Sequence, residues 1–109
     1  MGVQIRFYTT AAGNSPVERY LSSLEAQERA TVLDALSELE QRGLRDSQTT
    51  KRQIEGKLWE IKVSRHRIFF VMVDGPIVVL LHGYKKQGQK APRADIDVAR
   101  ARMKEVLRG

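Results

Sequence analysis

The chain has 109 residues, 41% of them hydrophobic, with 19 Lys and Arg against 13 Asp and Glu for a formal net charge of +6. That length suits one domain over 1–109 with a single core, and the lack of cysteine excludes disulfides, thiolate metal sites and a cysteine nucleophile. No apolar run approaches the roughly 20 residues needed to span a bilayer. The opening MGVQIRFYTT lacks the basic-then-apolar order of a leader, so the expectation is a soluble, unprocessed, cytoplasmic protein.

Val3 to Tyr8 alternates apolar and polar residues, the period of a strand with one buried face. Ser15-Pro16-Val17-Glu18 combines an N-cap residue, a proline at the first helical position and a capping-box glutamate, predicting a short helix from Pro16 to about Leu21. Ser22-Ser23-Leu24-Glu25 repeats the signal, and Val32, Leu33, Leu36 and Leu39 give a second helix its apolar stripe, with Gly43 as terminator after Arg42. The acidic residues of that helix, Glu25, Glu28, Asp34, Glu38 and Glu40, read as a solvated face. Leu44 to Glu55 is polar without periodicity and reads as a connecting loop that carries Arg45, Lys51 and Arg52 towards the sheet. Leu58–Val63, Arg67–Val73 and Ile77–Tyr84 are rich in Val, Ile, Phe and Trp and closely spaced, which predicts a three-stranded antiparallel meander. The third run is apolar at both parities from Ile77 to Leu81, as expected of a central strand covered on both faces. A Gly/Gln/Lys loop leads to Pro92, after which Ile96, Ala99, Met103, Val106 and Leu107 form the stripe of a C-terminal helix. The order is β-α-α-β-β-β-α, an α+β domain with a mainly antiparallel sheet packed against a helical hairpin.

The charge is unevenly placed. Residues 1–40 carry three Lys or Arg and six Asp or Glu, a net of −3; residues 41–93 carry twelve and four, +8; residues 94–109 carry four and three, +1. A basic middle suits a polyanionic partner such as nucleic acid. The two histidines, His66 and His82, stand without carboxylates at ligand spacing, so metal-independent chemistry is expected and no cofactor. The Walker, HExxH, GxSxG and dinucleotide glycine patterns are absent from the sequence.

Strand parity says which side chains can meet. With Arg65-His66 as a two-residue turn, Ser64 pairs with Arg67, and Arg67 shares a face with Glu60 and Lys62, while Trp59, Ile61, Val63, Ile68, Phe70 and Met72 share the helix-facing side. With Gly75-Pro76 as the second turn, Arg67 lies opposite Tyr84, with His82 and Lys86 on its face. A three-residue turn, Asp74-Gly75-Pro76, aligns Gly83 and Lys85 with Arg67 instead, so both lysines stay candidates. Arg67 and Glu60 also fit an ordinary cross-strand ion pair, His66 an exposed turn residue, and Trp59 the core. Lys85, Lys86, Lys90 and Arg93 form the firmest phosphate-binding signal.

Leu58-Trp59-Glu60-Ile61, Arg67-Ile68-Phe69-Phe70, Leu80-Leu81-His82-Gly83-Tyr84-Lys85-Lys86, Pro92 and Ala99 to Arg102 together resemble the pattern of the phage-derived, HigB-like branch of the RelE/ParE toxin superfamily. The resemblance implies the RelE-like fold and the toxin of a type II toxin–antitoxin pair: a metal-independent, ribosome-dependent messenger RNA endonuclease that leaves a 2′,3′-cyclic phosphate, held in check by a helix-turn-helix antitoxin. It implies that Arg67 and the Lys85-Lys86 pair stabilise the phosphorane, that Glu60 is a base or orienting group, and that Tyr84, at a position where this branch often has Phe, stacks on or bonds the RNA. Lys57, Lys62, Arg65, His82, Lys90 and Arg93 are the surrounding RNA-contact candidates. The superfamily also contains gyrase poisons of the same fold, and a basic nucleic-acid-binding module is the third reading. HigB-like toxins often bind antitoxin away from the active site, which directs attention to the acidic helical face around Glu25–Glu40.

Overall fold

A computed structural model of the chain describes residues 2–89 and 92–109. Its elements are β1 (Gln4–Phe7), α1 (Pro16–Ser22), α2 (Ala26–Asp46), β2 (Thr50–Glu55), β3 (Leu58–Val63), β4 (His66–Val73), β5 (Ile77–Lys85) and α3 (Arg93–Arg108). One five-stranded sheet runs in the order β1-β5-β4-β3-β2. All its pairings are antiparallel except that of β1 with β5, which is parallel. The α+β class, the meander, the central β5 and the three helices agree with the sequence reading.

The strand β2 was not foreseen; its residues read as loop. Its sequence, TKRQIE, has one strongly apolar residue, because an edge strand with both faces mostly solvated needs no hydrophobic alternation. Pairing with β3 forms it, through Thr50 with Lys62, Lys51 with Ile61 and Arg52 with Glu60. Gly43 ends the regular run of the second helix, as read: it adopts φ 82° and ψ 171°, and a separate helical turn then carries α2 on to Asp46. Ser15 does precede α1, yet its side chain makes no capping bond, and Glu25 rather than a serine precedes α2.

Two apolar layers sandwich the sheet. On one side Val17 and Leu21 of α1 and Val32, Leu36 and Leu39 of α2 meet Ile61, Val63, Ile68, Phe70, Val78 and Leu80. On the other, Ala99 of α3 sits among Leu58, Phe69, Val71, Val79 and Leu81, with Ile96, Met103 and Val106 half-buried at its margin. Since full burial of a Leu, Ile or Phe side chain contributes roughly 1.5–3 kcal/mol, the α1/α2 layer is the main stabilising core, and α3, with only Ala99 buried, adds the smaller share.

Both turns of the meander differ from the simplest expectation in ways that cancel. The β3–β4 turn is Ser64-Arg65, so Val63 pairs with His66 and Lys62 with Arg67. The register has moved by two residues, which preserves the face of every side chain. The β4–β5 turn has three residues, Asp74-Gly75-Pro76, because Val73 pairs with Ile77, and Asp74 and Gly75 take positive φ. A bulge then intervenes: Phe69 pairs with His82 but Phe70 with Leu80, leaving Leu81 as the extra residue and restoring Arg67 opposite Tyr84.

Trp59 corrects another expectation. It lies on the helix-facing side, as parity required, but is 36% exposed rather than core. It lines a hollow of about 290 Å³ with Leu44, Arg45, Lys51, Phe70 and Met72 near the β2 edge.

Candidate functional site

Where the β3–β4 turn meets the end of β5, Arg65, Arg67, Lys86, Gln87, Gly88 and Gln89 line an open groove of about 440 Å³. Its charged lining is cationic throughout. Adjacent strands supply the two inner cations: β4 carries Arg67 at its second residue, and Lys86 follows the last residue of β5. The backbone N–H of Lys86 donates to the Arg65 carbonyl at 2.8 Å, which ties the groove's two walls together.

Arg67 holds its guanidinium with backbone rather than with a carboxylate. Its Nη1 donates to the carbonyls of Ser64 at 2.7 Å and His66 at 3.1 Å, and its Nε is buried without a partner. Glu60, the ion-pair partner that parity allowed, is engaged elsewhere. Fully buried, it accepts from the Tyr84 hydroxyl at 3.0 Å and from Arg52 at 3.2 Å. Tyr84 is also buried and stacks on Phe69, with ring centroids 5.5 Å apart. Burial, reinforced by the Glu60 carboxylate, pushes its hydroxyl well above the ordinary value near 10. Arg52, in the stretch taken for a loop, is therefore part of the support beneath the groove, and its pairing with Glu60 depends on a strand that sequence periodicity does not show.

The remaining candidates divide by location. Lys62 is paired with Arg67 across the β3–β4 ladder and half-buried. Arg65 is exposed at the turn. Lys85 falls on the opposite face, its Nζ 3.8 Å from Glu28, so strand alternation separates it from Lys86. Lys57, at the far end of β3, is five residues from Lys62, about 17 Å of extended chain, and outside the groove lining. His82 is turned towards α3, with Nε2 2.6 Å from Asp95 and Nδ1 3.3 Å from Arg102. Arg93 opens α3, exposed and 3.7 Å from Asp97. Lys90 lies outside the described residues. Among the described residues no three His, Cys, Asp or Glu side chains are grouped to hold a metal ion.

Several contributors escaped the sequence reading. Gln87 and Gln89 line the groove but read only as loop. His66 is 3% exposed, not an exposed turn residue: its Nδ1 is 2.5 Å from the Tyr20 hydroxyl and its Nε2 2.8 Å from Glu28. Glu28 and Glu38 both leave the solvated face assigned to them. Glu38 accepts from Ser47 Oγ at 2.5 Å, the Gln48 N–H at 2.7 Å and Thr49 Oγ1 at 2.9 Å. These bonds, the Ser47 hydroxyl foremost, hold its carboxyl down at about 2.

Among known structures the fold is similar to that of a chain in the toxin–antitoxin complex RelBE2 from Mycobacterium tuberculosis, with 21% identity, a TM-score of 0.58, and coverage of 79% of this chain and 100% of that one. No curated protein matches the sequence. A family model described as phage-derived Gp49-like protein matches residues 19–104, a span that takes in the end of α1, all of α2 and the groove. On that match, the chain belongs to the phage-derived Gp49-like family and carries it on a RelE-like fold.

Proposed function

We propose that this chain is the toxin of a type II toxin–antitoxin pair and that it cleaves messenger RNA on the ribosome without a metal. The observation that carries the reading is the groove in which Arg67 and Lys86 stand within one cationic lining that, among the described residues, includes no carboxylate. In such a cleavage the ribose 2′-oxygen loses its proton and attacks phosphorus, the 5′-oxygen leaves and takes a proton, and a 2′,3′-cyclic phosphate remains. The crowded phosphorane carries more negative charge than the ground state, so fixed cations beside it favour the transition state. Arg67 takes that role with Lys86, while Arg65, Lys62 and the groove glutamines hold the flanking strand. Tyr84, tied to Glu60 and kept protonated by its raised pKa, acts as a buried support beneath Arg67 rather than as a proton carrier. Glu60 orients Tyr84, and its full burial speaks against direct proton transfer from RNA.

Membership of the Gp49-like family and the likeness to a chain from a toxin–antitoxin complex support the toxin assignment and an antitoxin partner; the helix-turn-helix class of that partner is part of the proposal. An mRNA substrate on ribosomes also implies the cytoplasm. The test is induction in a bacterium, with growth followed and transcripts mapped by primer extension. Growth arrest with new 5′ ends is expected; arrest with intact messages and inhibited supercoiling would instead identify a gyrase poison.

A further inference from the structure

We propose that the contact chain Tyr20–His66–Glu28, centred on the buried imidazole, positions Arg67 from the opposite side of the sheet, so that His66 is a positioning residue for the cationic groove. The inference rests on the proposed role of that groove and names the part of the molecule that holds its central arginine in place.

Arg67 takes its orientation from backbone, since both acceptors of its Nη1 are carbonyls where the β3–β4 turn enters β4, those of Ser64 in the turn and His66 at the strand's first residue. Whatever fixes that turn therefore fixes the guanidinium. The turn does not hold itself in an intrinsically favoured shape: Ser64 sits at φ 55°, a left-handed conformation that residues with a Cβ adopt reluctantly. The His66 side chain supplies the hold. Strand alternation turns it to the helix side while its own carbonyl, in the plane of the sheet, bonds the arginine on the other side. The imidazole is 3% exposed, and each ring nitrogen meets a different helix, Nδ1 the Tyr20 hydroxyl of α1 at 2.5 Å and Nε2 the Glu28 carboxylate of α2 at 2.8 Å. A single tautomer serves both contacts, with Tyr20 donating to Nδ1 and Nε2–H donating to Glu28.

Two further features belong to the same device. Gly83 of β5 leaves room for the Tyr20 ring: a Cβ there would come within 2.8 Å of Tyr20 Cδ2, too close for the ring to stay where it is. That explains the glycine between His82 and Tyr84 by steric access rather than by a special backbone angle. Glu28 also lies 3.8 Å from Lys85 Nζ, and Lys85 pairs with His66 across the β4–β5 ladder. One carboxylate on α2 thus reaches both strands whose next residues, Arg67 and Lys86, furnish the groove. The pair of helices is in this way coupled to a site that it does not touch.

The full chain, labelled with ¹⁵N, is compared with Tyr20→Phe and Gly83→Ala by following the Arg67 Nε–Hε resonance, and their cleavage kinetics are measured on ribosomes carrying a defined message. Both variants are expected to shift or broaden the Arg67 signal while leaving that of Arg100 in place, and to lower kcat about 100-fold, the scale of a displacement of roughly 1 Å, with KM within about twofold. In an Arg67→Ala background Tyr20→Phe should add no further loss, since coupled residues are not additive. Leu36→Val, which loosens the same helical layer, serves as the control and should leave the Arg67 signal unmoved. An unchanged Arg67 resonance in Tyr20→Phe, or losses that add to those of Arg67→Ala, would overturn the proposal. If the wild-type chain cleaves no message, the functional reading fails separately, and the resonance comparison still decides the positioning role.

Discussion

Arg67 and Lys85 show what a single residue's neighbours add to its charge. Both are cations in the same basic segment, yet Arg67 faces the groove and Lys85 faces Glu28. Removing one positioned transition-state contact typically costs about 100- to 1000-fold in rate, so Arg67→Ala and Lys86→Ala should each lower cleavage by that order in primer-extension time courses, while Lys85→Ala, which removes an exposed cation from the opposite face, stays within about threefold. Equal losses at Lys85 and Lys86 would contradict the separation of faces. Tyr84→Phe removes one of the two donors to a fully buried carboxylate, which should destabilise the fold by about 1–3 kcal/mol in urea titrations. At this scale the shared face of Arg67 and Glu60 was legible from period-two alternation, whereas the faces of Tyr84 and Lys86 stayed open between two turns and are set by the Leu81 bulge. The partners were not legible: the sequence allowed Arg67 to pair with Glu60, and only a strand hidden in a polar stretch supplies Arg52 to Glu60 instead.

Among the elements, β2 and the segment before it depend on polar clasps that hydrophobic patterning cannot reveal. The Glu38 carboxylate gathers Ser47, Gln48 and Thr49 and so fastens the end of α2 to the start of β2. Its pKa is depressed in the folded chain, so the stability it contributes is fully present above the ordinary value of 4.5 and is lost as pH falls towards about 2. The protection factors of the Thr50–Glu55 amides, corrected for intrinsic exchange, should accordingly fall over that interval and be less pH-dependent in Glu38→Gln; protection that stays constant from pH 4.5 towards 2 would refute the assignment. Trp59 belongs to the same edge. Being 36% exposed, it should lose less on substitution by Ala than the roughly 3–5 kcal/mol of a fully buried aromatic, and its emission should be that of a partly solvated indole. Helices and meander were readable because each buries a stripe; the edge strand was not, because it buries almost nothing.

For the molecule as a whole, the sheet divides two kinds of chemistry, with tyrosine-linked helices on one side and the cationic groove on the other. Burial and Glu28 push Tyr20 up to about 12, and Tyr84 is raised as well. A raised folded-state pKa means stability that is complete below about pH 10 and lost as pH climbs through the folded values, so melting temperatures should fall between pH 10 and 12, less steeply in Tyr20→Phe. The basic character of residues 41–93 was legible by counting, but their convergence on one groove required the register. That register is set twice, once at the Asp74-Gly75-Pro76 turn and again at the Leu81 bulge. The bulge makes the distal turn a forgiving graft point: Arg67 is seven residues from Asp74, about 23 Å along the strand, so a short inserted peptide there should leave growth arrest intact. Deleting Leu81 would do the reverse, sending His82, Tyr84 and Lys86 to the wrong face in a single step.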